Sequence, residues 1–153
     1  MATFNVGPEE ASATIEQIVS GFVEKIDGQL VARAYRVSNE LTNATAYVLR
    51  GQRSGRTYRV PGTRRNYTAS APGEPPAVRT GAFRGSWKRR VVKEGNVVKA
   101  ITESDLRVGK KKYLLGALLE EGTRRTAPRP YKKKVIDRAY PRAVKIYNEP
   151  YIR

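Results

Sequence analysis

The residues best equipped for chemistry lie between Arg50 and Arg90, where eleven Lys and Arg side chains stand against one carboxylate, Glu74. Within that stretch Arg53, Arg56, Arg59, Arg64 and Arg65 interleave with Tyr58 and Tyr67, and Arg84, Lys88, Arg89 and Arg90 close it. Guanidinium groups hold phosphate or carboxylate through paired N–H donors, and tyrosine rings stack on bases or on guanidinium planes. The mixture therefore suits a nucleic-acid strand or an acidic patch on a neighbouring protein, or it is a solvated loop with neither. The residue types that are missing narrow the field further. The 153 residues include no Cys and no His, which excludes disulfides, thiolate nucleophiles, His-based triads and the usual zinc sites. With Glu74 alone in the basic stretch there is no pair of acids for hydrolysis. Glu120 and Glu121 are adjacent carboxylates, but a hard metal needs more oxygen ligands than the sequence around them offers. The expectation is a binding or assembly protein, not an enzyme, with no cofactor and no metal.

Net charge is +16, and it is unevenly spread. Residues 1–49 carry three basic and six acidic side chains, whereas residues 107–153 carry fourteen and four. Two basic segments thus flank a nearly neutral middle, residues 91–106, with two basic and three acidic groups. No run of about 18 apolar residues is present, and the first ten residues lack the pattern of a secretory signal, so the chain is expected to be soluble and cytosolic when made, with no membrane contact. Its length suits a single domain over 1–153.

The elements that must position these groups follow from periodicity. From about Pro8 to Arg50, apolar residues Ile15, Val19, Phe22, Ile26, Leu30, Ala34, Val37, Leu41, Ala44 and Val48 recur every three or four positions, which predicts a long helix. Pro8, Glu9 and Glu10 suit its first turn, and Gly51 its stop. Gly21 and Gly28 each weaken a helix interior by roughly 1 kcal/mol, so the pattern is one helix or two broken near Asp27-Gly28. Unbroken, it is longer than a core of this size requires, and is expected to meet other subunits along part of its length. Residues 52–69, with Pro61-Gly62 between two short β-rich runs, read as a protruding basic β-hairpin arm. Residues 70–87 form a Pro/Gly segment through which neither helix nor strand can run. A hairpin turning at Gly95-Asn96 opens a sheet region assigned to 86–123. Tyr113 to Thr123 is apolar enough to be buried in the core or against another copy, as strand or short helix, and Tyr113, Leu115, Leu118 and Leu119 are its packing candidates. A C-terminal helix over 130–148 carries Val135, Ala139, Ala143 and Ile146 on one face and Pro141 within it. The fold class expected is α+β: long N-terminal helix, antiparallel sheet with a basic hairpin arm, C-terminal helix.

The order of these features resembles the neck or tail-completion family of long-tailed double-stranded-DNA bacteriophages, also described as tail components. That family's Pro-x-x-Thr-Gly-x-Leu-x-x-Ser pattern is matched by Pro76, Thr80, Gly81, Phe83 and Ser86, with Phe83 in place of the leucine. Its Tyr-Ala-x-x-x-Glu-x-Gly-Thr run is similar to Tyr113–Thr123, with Leu114 for the alanine and a longer spacing to Glu120, and its Arg-Pro-Phe is similar to Arg129-Pro130-Tyr131. The resemblance covers roughly residues 10–145. It implies a structural virion protein, a homo-oligomer ring most often hexameric, with a dodecamer as the alternative. Such a ring sits at the neck between the capsid connector and the tail tube, and serves tail completion and head-tail joining. Its implied partners are the adjacent connector or head-closure protein, the tail-terminator or tail-tube protein, and genomic DNA. Its locations would be the host cytoplasm during virus assembly and then the virion. The alternative from charge alone is a nucleic-acid-binding module of ribosomal or DNA-packaging type.

Overall fold

A computed structural model describes residues 8–151. Helix α1 runs unbroken from Pro8 to Arg50, so neither Gly21 nor Gly28 interrupts it. Strands β1 (Thr57–Arg59) and β2 (Asn66–Thr68) form the arm, and a four-residue helix α2 (Ala82–Gly85) ends the Pro/Gly segment. Strands β3 (Trp87–Glu94) and β4 (Val97–Ser104) pair over their full length about the Gly95-Asn96 turn. A two-residue pair, β5 (Arg107–Val108) with β6 (Tyr113–Leu114), precedes α3 (Leu115–Glu121) and then α4 (Lys132–Tyr147). The fold is α+β, with a long N-terminal helix, small antiparallel sheets and a C-terminal helix.

Two expectations are corrected in detail. The region 86–123 is not one sheet: β3–β4 and β5–β6 are separate two-stranded ladders, and strand pairing stops at Leu114. Beyond it Leu115, Leu118 and Leu119 share one helical face, and a segment that can bury only one side satisfies its own backbone by coiling. The Pro/Gly segment, for its part, gives way to α2 at Ala82 and to β3 at Trp87. Helix α4 continues through Pro141; the bond that proline forfeits is to the Asp137 carbonyl, and both residues are exposed, which leaves that oxygen to water.

Helix α1 changes character near Ile26. Its second half packs against α4 on one side and β3–β4 on the other, burying Ala34, Val37, Ala44 and Leu49. Thr42 meets Thr102 across the sheet contact at 3.0 Å, and Arg89 reaches Asn39. Period-two alternation places Trp87, Val91, Val98, Ala100 and Thr102 on that helix-facing side of the ladder. Among the described residues the first half touches nothing of comparable extent: Ile15, Ile18, Val19, Phe22 and Val23 are 46–60% exposed. Arg33, by contrast, is 5% exposed and clamps the C-terminal segment, donating to the carbonyls of Tyr147, Glu149 and Pro150 at 2.6–3.1 Å while its guanidinium lies over the Tyr151 ring. Arg36 adds a bidentate pair with Glu149 at 2.6 and 2.8 Å.

The core centres on Tyr131, 2% exposed, with Phe83 and Trp87 edge-to-face around it at centroid distances of 5.6–5.8 Å. Its hydroxyl donates to the Gly116 carbonyl at 3.3 Å, and burial raises its pKa to about 12, so the donor proton stays in place. A Cβ on Gly116 would stand 2.8 Å from that hydroxyl, whereas one on Gly28 would meet nothing within 4 Å. The two glycines therefore predict opposite outcomes in urea titrations. Gly28→Ala raises stability by about 1 kcal/mol. Gly116→Ala lowers it by about 1–3 kcal/mol, because overpacking outweighs the helical gain.

Candidate functional site

The arm is built by its turn and its ladder. Thr63 N–H donates to the Val60 carbonyl at 3.1 Å, with Pro61 and Gly62 between them and Gly62 at φ 74°, the position where a type II turn favours glycine. Val60 N–H to Arg65 carbonyl, Ala69 N–H to Arg56 carbonyl and Gly55 N–H to Ala69 carbonyl extend the pairing beyond the strands at 2.8–2.9 Å. Tyr58 lies directly opposite Tyr67, their rings stacked at 5.9 Å and 29°, and the Arg56 guanidinium sits 5.7 Å from the Tyr58 ring. Arg56, Arg59, Arg64 and Arg65 are exposed, and none belongs to an ion pair among the described residues. The arm thus presents four guanidinium groups and a two-ring aromatic platform, a surface for phosphate with stacking or for carboxylates.

The other expected site residues divide. Arg53 is not on that surface: it is folded inward against carbonyls of Val48, Gly51, Gln52 and Pro76 at 2.7–3.3 Å. It closes the C-terminal end of α1, where unpaired carbonyls and the negative end of the helix dipole favour a cation, and ties that end to the Pro/Gly segment. Lys88 and Arg90 pair with Asp105 at 3.4 Å and Glu103 at 3.1 Å on the outer face of β3–β4, while Arg89 points the other way to Asn39. They form a second, internally compensated cluster on a different sheet from the arm. Tyr113 is 51% exposed, and Leu115, Leu118 and Leu119 are half-buried.

Two features had little signal in the sequence. One is an apolar groove of about 570 Å³ between the Pro/Gly segment and α3, lined by Val78, Phe83, Leu106, Val108, Leu115 and Leu119. Arg79, Arg84 and Arg129 also border it, and Nη1 of Arg129 is buried without a hydrogen-bond partner among the described residues. The groove assembles from segments more than twenty residues apart in sequence, so no local pattern announces it. The other is where the exposed half of α1 begins: the helix's excess length is visible in the sequence, but that its cover starts near Ile26 is not.

Of the adjacent carboxylates Glu120 and Glu121, the first has a structural duty. Glu120 accepts from the backbone N–H groups of Tyr131 and Lys132 at 2.9 and 3.2 Å, capping α4. Among the described residues no group of three or more His, Cys, Asp or Glu comes together, and no helix is long and apolar enough to cross a membrane. No protein-family model matches the chain, and no curated protein or solved structure is detectably similar to it.

Glu74 anchors the base of the arm to the Pro/Gly segment. It accepts from the Ser54 hydroxyl at 2.6 Å, the Ser54 N–H at 3.1 Å and the Ala71 N–H at 2.9 Å, and these bonds, with nearby Arg53, lower its pKa to about 2. A carboxylate whose pKa is depressed on folding stabilises above its ordinary value of 4.5 and loses that contribution as pH falls towards 2. The melting temperature should therefore fall with pH through that window, and Glu74→Gln should flatten the fall there. An unchanged acid profile in the variant would show that Glu74 contributes nothing to it.

Proposed function

We propose that the chain is a structural subunit of a bacteriophage neck, acting by assembly into a ring between the capsid connector and the tail tube. The observation that carries the proposal is the unpartnered first half of α1: an apolar face presented by a helix that outruns its own core. A monomer gains nothing by exposing five large apolar side chains in one stripe, and a second surface that covers them removes them from water. The order of the Pro76–Ser86, Tyr113–Thr123 and Arg129–Tyr131 motifs supports the same reading. In a ring every copy gives and receives the same contact, and closure leaves no unsatisfied face. A hexamer is the expected stoichiometry, with a dodecamer the alternative, and adjacent connector and tail-tube rings are the partners.

A second reading, nucleic-acid binding, is favoured by the arm, where the Tyr58–Tyr67 stack sits among four exposed arginines. The two readings meet if the arm faces the genome's path. Light scattering coupled to size exclusion tests the first: one discrete ring-sized species at low and high salt is expected, and a monomer that adds to no connector would overturn it. DNA binding measured across salt concentrations tests the second. If the four arginines each neutralise one phosphate, log K falls with log salt at a slope of about −4. Arg64→Ala then reduces that slope by about one. No salt dependence would remove the nucleic-acid reading and leave the ring intact.

A further inference from the structure

On a helical projection at 100° per residue, Ile15, Ile18, Val19, Phe22 and Val23 share one stripe, with Glu16 along one edge, Lys25 along the other and Glu24 on the opposite face. This half of α1 is exposed from Ser12 to Lys25, a projection of roughly 20 Å at 1.5 Å per residue. Glu16 and Glu24 are exposed and belong to no ion pair among the described residues. Antiparallel pairing of this stripe with the same stripe of a second copy would bring the two Glu16 edges together. The body carries the opposite sign, and its apolar groove is bordered by Arg79, Arg84 and Arg129. Arg129 there holds a buried Nη1 that lacks an acceptor, which a carboxylate would supply.

We infer that the free half of α1 of one copy seats in the groove between the Pro/Gly segment and α3 of the next copy. Phe22 and its apolar neighbours fill the groove, and Glu16 at the helix edge meets the arginines. The occupant is another molecule of this same chain, bound head to tail as a helix in a groove. The contact is heterologous, so each copy offers one helix and one groove. This rests on the assembly reading above and specifies the surfaces that reading requires.

The α4 surface is the competing seat, because Ile136 and Tyr140 are 56% and 65% exposed on a helix rich in lysine and arginine. The absence of cysteine makes the two separable. Three single variants, Phe22→Cys, Val78→Cys and Tyr140→Cys, are purified separately, checked for parental circular dichroism, mixed in pairs and treated with a short bis-maleimide. The Phe22→Cys and Val78→Cys mixture should give at least tenfold more mixed dimer than the Phe22→Cys and Tyr140→Cys mixture. Equal yields, preference for Tyr140→Cys, dimers of Phe22→Cys alone, or no cross-link in any mixture would overturn the inference. Light scattering on the unmodified protein keeps the two failures apart. A ring without the Val78 cross-link means the seat is wrong and the ring stands; the cross-link with only open chains means the seat stands and the ring falls.

Discussion

Burial of Tyr131 is the constraint on which the rest of the body depends. The side chain stands at the entrance to α4, yet it touches the Pro/Gly segment through Phe83, the hairpin through Trp87 and α3 through Gly116. Its backbone N–H and that of Lys132 are capped by Glu120, so the carboxylate that starts α4 is fixed by the same helix whose carbonyl receives the phenol. Arg129 N–H donates to the Leu119 carbonyl at 2.7 Å, which fastens the approach to this residue as well. Four elements meet at one ring, and α1 closes over them with Ala44 and Leu49. A small chain without disulfides concentrates its order in such a node.

Outside the node, charge and apolar exposure divide the molecule in two. The free end of α1 combines apolar surface with an acidic edge, whereas the arm, the groove border and α4 are basic. Segregation of this kind has little value within one copy, where opposite charges are already close enough to pair, as Lys93 does with Asp27 and Arg142 with Glu40. Between copies it favours one orientation of approach over its reverse and disfavours the symmetric pairing of like faces.

Much of the fold was legible because its signals are local. The three-and-four spacing over Pro8–Arg50, the Gly95-Asn96 turn and the Pro61-Gly62 turn each announce one element by periodicity or backbone freedom, and each element is present. The 113–123 run was ambiguous because its apolar residues fit a buried strand as well as a helical face, and only the missing strand partner decided for α3. Arg53 could not be separated from its neighbours in sequence, since an arginine that caps a helix and one that faces solvent look alike until the helix end is placed. The groove was illegible for a related reason, being made by Leu106, Leu115 and Val78 meeting across distant segments. The acidic bias and excess length of α1 were readable; where its cover begins was not, because that depends on segments distant in sequence.

The Arg33 clamp carries a mechanical consequence. Its guanidinium joins the middle of α1 to the last turn of α4 and the residues after it, close to where the free half of the helix departs. Helix α1 is therefore a lever with a fulcrum. The short carbonyl bonds on Arg33 and the bidentate Arg36–Glu149 pair oppose bending at that point, and a force applied to the free end passes into α4 and the Tyr131 node rather than being absorbed at a hinge. A subunit built this way transmits load along its length, into the β3–β4 hairpin through the Asp27–Lys93 pair and into the residues after α4 through Arg33.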